Sequence, residues 1–269
     1  MESGYEKEQQ STRGTVERLY ALNGGLAIAQ NRSMYSPGVG VGEQVSLSCN
    51  AYLIRREGAW ILWDTGISDD IAQTPDGEIV AHGIRGIVTQ TIVAQLRQIG
   101  LSTSDVGTVI LSHAHFDHIG NCKLFAHATW YLQQAERDAM FGPDYQRYGY
   151  VPALYEALAS LDVVTVSGDH DVYGDGSVRI ISTPGHTPGH SSLLVRLPAS
   201  GSILLSGDVA HFHDTFIHRY VPTMNADAQL TRDSMDKVDA LVQAERAQLW
   251  LNHDIEQSAT LPHAPEWIE

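Results

Sequence analysis

Four side chains able to bind a metal fall within six residues of this chain, at His113-Ala114-His115-Phe116-Asp117-His118. They follow Val109-Ile110-Leu111, a short apolar run with the character of a buried strand. This juxtaposition constrains the fold, because an interior strand must open at its end into a loop of imidazoles and a carboxylate. With 13 histidines in the chain, some clustering arises by chance. Chance does not explain the position, since a polar group buried without a partner costs roughly 2–7 kcal/mol. The loop therefore reads as a set of metal ligands.

Further residues of the same chemistry recur where other strands are expected to end. Thr183-Pro184-Gly185-His186-Thr187-Pro188-Gly189-His190 follows an apolar run at 178–182, and Leu205-Ser206-Gly207-Asp208 closes another. Trp250-Leu251-Asn252-His253-Asp254 closes the last, and Ile61-Leu62-Trp63-Asp64-Thr65-Gly66 an early one. His211, His213 and His218 crowd the segment after Asp208. Ligands at the C-terminal ends of successive strands can converge on one edge of a sheet.

The remaining pattern predicts an α/β chain. Residues 16–22 and 26–29 read as a hairpin turned at Asn23-Gly24-Gly25, followed by strands at 45–56 and 59–63. Apolar residues Ile84, Ile87, Val88, Ile92, Leu96 and Ile99 step by three or four, which predicts a helix over 84–99 stopped by Gly100. Beyond the histidine loop we expect a strand at 129–132 and a helix at 133–140. Strands at 163–166, 178–182, 191–197 and 203–206, a helix at 226–244 and a strand at 248–251 complete the pattern. No repeat of 20–50 residues is visible. This order suggests two packed sheets with helices outside, an αββα sandwich. Residues 1–14 are expected to be a flexible polar arm, and 15–269 a single domain.

Net charge is −15, and Lys7, Lys123 and Lys237 are the only lysines. So acidic a surface repels phosphate backbones, which argues against a nucleic-acid partner. Two cysteines, Cys49 and Cys122, do not make a disulfide framework, and Cys122 is expected to pack near the histidine loop as a small apolar residue. No apolar leader or membrane-spanning run is seen, so a cytoplasmic protein without a membrane partner is expected.

The His-x-His-x-Asp-His motif with distant His186, Asp208 and His253 resembles the metallo-β-lactamase superfamily over nearly the whole chain. The resemblance implies a dinuclear site, with His113, His115 and His186 on one metal, Asp117, His118 and His253 on the other, and Asp208 bridging. Nitrogen and carboxylate ligands suit Zn²⁺, and also Fe, Co or Mn. Asp64 is expected to orient a ligand histidine. Its alternative is to cap the Asp-Thr-Gly turn. His190 is expected to support His186.

Within that superfamily the chain resembles the N-acyl-homoserine lactone lactonases. The likeness lies in Val172-Tyr173-Gly174-Asp175-Gly176, in Gly185-His186-Thr187-Pro188-Gly189-His190-Ser191-Ser192, and in His253-Asp254 before a short tail containing Trp267. A bridging carboxylate is lacking in the true β-lactamases. A phosphodiesterase would want cationic groups, and a thioesterase of the glyoxalase II kind carries a helical extension, whereas this chain ends sixteen residues after His253. The resemblance implies a quorum-quenching hydrolase that opens a small-molecule lactone by attack of a bridging hydroxide. Asp117 would protonate the departing alkoxide. Another lactonase, a thioesterase or a phosphodiesterase of this fold is the alternative. Many such lactonases carry a Tyr three residues after the bridging Asp, where this chain has His211. His211 is expected to stand in as donor to the substrate carbonyl, or else to leave that role to His213 or a metal. The resemblance also implies a homodimer.

Aromatic and Met residues gather in two loops, Met34-Tyr35 and 140–150, with Phe212 and Phe216 beside His213. Met34, Tyr35, Phe141, Tyr145, Phe212 and Phe216 are expected to line an apolar substrate pocket.

Overall fold

A computed structural model describes residues 14–161 and 163–269. The arm expected at 1–14 lies outside the described residues except for Gly14, whose N–H donates to Asp175 Oδ2 at 2.8 Å.

The first sheet contains β1 (Val16–Ala29), β2 (Val45–Arg56), β3 (Ala59–Trp63), β4 (Glu78–Ala81), β5 (Ile84–Ile87), β6 (Val106–Ile110), β7 (Thr129–Gln133) and β8 (Val163–Val166), in the order β4-β5-β1-β2-β3-β6-β7-β8. The second contains β9 (His170–Asp171), β10 (Val178–Ser182), β11 (Ser191–Leu197), β12 (Gly201–Leu205) and β13 (Gln248–Trp250), in the order β13-β12-β11-β10-β9. Alternation sorts the side chains between faces. Leu19, Tyr52, Ile54, Ile61, Trp63 and Ile110 point inward and meet Val178, Ile180, Leu193, Val195, Ile203 and Leu205 of the second sheet. The intervening Tyr20, Leu22, Leu53, Leu62 and Val109 point outward, where they pack under α1 (Ile92–Gln98), α2 (Phe116–Ile119), α3 (Gln134–Phe141) and α4 (Pro152–Tyr155). On the far side, Ile181, Leu194 and Leu204 are covered by Phe216 of α5 (His213–His218) and by Met235 and Val238 of α6 (Ala228–Glu245). A short α7 (Ile255–Ser258) follows β13. The architecture is the expected αββα sandwich.

Two expectations fail locally. The hairpin expected at 16–29 is one strand paired with β2 along its length, with a bulge between Asn23 and Leu26. Gly24 serves close approach here rather than reversal, because a Cβ would lie 2.0 Å from the Cys49 carbonyl oxygen. The helix expected at 84–99 is split. Ile84–Ile87 is β5, paired with β1, and α1 begins only after the Thr91 side chain caps the Ala94 N–H at 3.1 Å. The β-branched residues and Gly86 favour the strand, and His82 and Gly83, at φ of 51° and 72°, form the tight β4–β5 turn. No helix among the described residues is long and apolar enough to cross a membrane.

Candidate metal centre

The centre forms where strand ends from both sheets meet. After β3 the chain enters the left-handed region at Asp64, with φ of 56°. Asp64 is fully buried and accepts from the Ser112 N–H and hydroxyl, both at 2.7 Å, and from His118 Nδ1 at 2.8 Å. One carboxylate thus ties the end of β3 to the loop after β6. The Ser112 oxygen lies 2.9 Å from His113 Nδ1, which extends this orientation to a second ring.

Three further rings are anchored at their outer nitrogens. His253 Nδ1 donates to the Ser48 carbonyl at 2.6 Å, and His115 Nε2 to the Tyr148 carbonyl at 2.7 Å. His186 Nδ1 lies 2.8 Å from Asn225 Oδ1, whose amide donates to Thr231 Oγ1 at 3.0 Å. These bonds set the tautomers. In the neutral rings that a cation would require, they leave a lone pair on Nε2 of His113, His118, His186 and His253 and on Nδ1 of His115. Those atoms converge. His115 Nδ1 lies 3.0 Å from both His113 Nε2 and His186 Nε2. Lone pairs so close repel unless a cation lies between them. The spacing nears the edge of a tetrahedron with bonds of about 2.0–2.1 Å.

Asp208 belongs to two ligand groups, one with His113, His115 and His186 and one with His118 and His253, each with its ligand atoms within 4.8 Å of one another. His253 Nε2 and His118 Nε2 lie 3.0 Å and 3.1 Å from Asp208 Oδ1. Yet His118 Nε2 and Asp208 Oδ1 are buried with no hydrogen-bond partner among the described residues. Asp117 stands at the margin, its oxygens 3.7 Å from His253 Nε2 and 4.0 Å from His118 Nε2. Orphaned atoms, oriented lone pairs and an oxygen–nitrogen donor set all fit a divalent cation. Electrostatics agree. Burial drives the Asp208 carboxyl toward its neutral form, but the rings of His253 and His118, which this carboxylate holds protonated, outweigh it and keep it well below the usual range. Burial, aided by neighbouring rings, keeps His113 and His186 neutral.

His190 faces elsewhere. Its Nε2 accepts from the Asp208 N–H at 2.7 Å and its Nδ1 meets the Thr183 carbonyl at 2.9 Å, so neither nitrogen is available to the centre. Burial pushes its pKa down to about 4, so the ring is a neutral acceptor that positions Asp208. His211 Nε2 lies 3.2 Å from Asp208 Oδ2, and its ring stacks on His253 at 5.0 Å. His213 and His218 are exposed, which removes them from the centre.

Several residues escaped the sequence reading. Ser48, Ser112 and Asn225 hold rings, and the Cys49 thiol donates to Asp117 Oδ2 at 3.5 Å. Glu136 is fully buried and accepts four bonds: from the Ala114 N–H at 2.9 Å, Tyr150 OH at 2.6 Å, Thr187 Oγ1 at 2.7 Å and the Gly189 N–H at 3.0 Å. It joins the His113–His118 loop to the His186–His190 loop. Gly189 permits this, because a Cβ there would lie 2.1 Å from the Glu136 nitrogen. G189A is expected to lower unfolding free energy by on the order of 3 kcal/mol, measured by denaturant titration.

Above the centre is a small cavity that opens to solvent, with Tyr35 and the apolar Ala27, Leu47, Ile84, Phe116 and Met224 among its walls. The aromatic lid expected from sequence is largely corrected. Of those six residues Tyr35 lines the cavity, and Phe212 packs against it at 5.9 Å. Phe216 lies in the core beneath α6, because α5 turns it toward Met235 and Val238. Phe141 is 44% exposed and edges onto Tyr155, Tyr145 packs beside the outer core, and Met34 packs behind the wall. Burial and the nearby Asp117 and Asp208 carboxylates raise the Tyr35 phenol far above its ordinary pKa, so it stays protonated.

An αββα sandwich with a shared aspartate among histidines at its strand ends defines a class, and residues 46–247 match the model of the metallo-beta-lactamase superfamily, to which this chain belongs. Its relatives are narrower in kind. The chain is 30% identical over 260 residues to an N-acyl homoserine lactonase of a Bacillus species, covering 94% of this chain and all of that one. It is 31% identical over 261 residues to the N-acyl homoserine lactonase AttM of Rhizobium radiobacter, covering 93% and 98%. Its fold matches an N-acyl homoserine lactone hydrolase solved with the product N-hexanoyl-L-homoserine at its catalytic metal centre, with a TM-score of 0.82, 29% identity and coverage of 94% and 100%. The histidine–aspartate cluster in this fold implies divalent metal ions.

Proposed function

We propose that this protein is a metal-dependent lactonase that opens the ring of N-acyl-homoserine lactones. The observation that carries the reading is Asp208, shared by a His113, His115 and His186 group and a His118 and His253 group. Two divalent ions would be held by these residues with Asp117, and the donor set favours Zn²⁺ over Fe, Co or Mn. Such ions supply a water ionised near neutral pH and a Lewis acid for a carbonyl.

The chain's own groups do the rest. The apolar walls above the centre take the acyl portion of the substrate and exclude water. Asp117 accepts only from the Cys49 thiol among the described residues, so the carboxylate oxygen it does not give to a metal would carry a proton to the departing ring oxygen. His211 holds Asp208 through Nε2 and is a donor to the substrate carbonyl once that bond is exchanged. His211→Ala is therefore expected to weaken metal binding about 10–100-fold, read by chelator competition, as well as to lower kcat.

The functional test is a substrate panel on metal-loaded protein: N-acyl-homoserine lactones, acyl thioesters and bis(p-nitrophenyl) phosphate. Lactones are expected to give the highest kcat/KM by at least about tenfold, a difference of roughly 1.4 kcal/mol in transition-state binding. Preference for either of the others would replace this reading.

A further inference from the structure

We infer that Tyr35 is a catalytic hydrogen-bond donor, its phenol directed at the carbonyl oxygen of the substrate as negative charge builds there. The inference rests on the lactonase reading and adds a residue to it. Tyr35 is 3% exposed and lines the same cavity as Asp117, Asp208 and His211. Buried tyrosines ordinarily spend their hydroxyl on a protein acceptor. Tyr52, Tyr150 and Tyr155 each do so or accept in turn, to Asn50, Glu136 and the Met140 carbonyl. The Tyr35 hydroxyl forms no hydrogen bond among the described residues, which leaves its donor for whatever enters the cavity. By contrast, the His211 Nε2 already faces Asp208 at 3.2 Å. Tyr35 can donate without first breaking a bond.

The ring is also held in place before substrate arrives. It lies 4.8 Å from the His211 ring and 5.9 Å from that of Phe212. Arg32, three residues earlier, pairs with Asp214 at 2.8 Å, and its guanidinium lies 5.5 Å from the Phe212 ring. The Thr223 N–H fixes the Met34 carbonyl at 2.9 Å. The loop bearing Tyr35 is thus clamped to the segment bearing His211. A fixed donor beside a site of developing charge needs no reorganisation in the transition state, which is where such donors are most effective.

Tyr35→Phe separates this role from a structural one. The ring contacts remain, and no internal acceptor loses a partner, so melting temperature and metal content are expected to match wild type. On a homoserine lactone, kcat is expected to fall on the order of 10²-fold, with KM changed less than about threefold because the apolar walls still hold the acyl group. The ring-opened product should perturb tyrosine absorbance in wild type and do so less in Tyr35→Phe. A kcat within twofold of wild type, or a loss carried wholly by KM, would overturn the proposal alone. Wild-type protein that opens no lactone would overturn the lactonase reading and this inference with it.

Discussion

Asp208→Asn is expected to lose most of its bound metal and lactone hydrolysis together. The carboxylate is the one group common to both ligand sets. It is flanked by His253 and His118 on one oxygen and by His186 and His211, at 3.3 Å and 3.2 Å, on the other. An amide keeps the shape but removes the charge that would offset the two proposed cations, and its NH₂ group turns a donor toward ring lone pairs or a metal. Loss of an outer partner alone typically costs 10–100-fold in metal affinity or activity. Loss of a shared ligand should exceed about 10²-fold in kcat, with metal content falling after dialysis. His190, which holds the Asp208 N–H, makes the local backbone independent of the side chain, so the variant should still fold. Full metal and full activity in Asp208→Asn would refute the dinuclear arrangement.

Glu136→Ala is expected to be the most destabilising single change near the centre. It deprives two backbone N–H groups and two hydroxyls of their acceptor, all in a buried setting. Each buried donor left unsatisfied costs about 1–3 kcal/mol. Partial relaxation and water entry should leave a net loss on the order of 4 kcal/mol. Because three of those donors, on Ala114, Thr187 and Gly189, sit on the loops of His113–His118 and His186–His190, metal affinity should fall in parallel. Chemical denaturation with and without added Zn²⁺ checks both effects. A variant of wild-type stability and metal affinity would show that the two loops hold their positions without this carboxylate.

The candidate ligands were legible in the sequence because their chemistry is carried by side-chain type, and because each follows an apolar strand. The rest was hidden for physical reasons. Ser48 and Tyr148 act through backbone carbonyls, which leave no mark on residue identity. Glu136 sits in a polar helix start, Gln134-Ala135-Glu136-Arg137, that reads as solvated, and only the fold brings Gly189 and Thr187 against it. The segment 84–99 has a spacing that a strand followed by a helix satisfies as well as one helix. At Gly24-Gly25 a bulge and a turn demand the same residues. The pocket was the least legible part, since aromatic composition does not reveal which way a loop side chain points. Its apolar walls include small and aliphatic residues of strands, Ala27 of β1, Leu47 of β2 and Ile84 of β5.

The most direct test is to strip the protein with a chelator and titrate Zn²⁺ back while following proton release from an N-acyl-homoserine lactone. Ring opening should be absent without metal and rise to a plateau near two equivalents. Undiminished ring opening by metal-free protein would contradict a metal-dependent hydrolase, and a plateau at one equivalent would contradict the second metal.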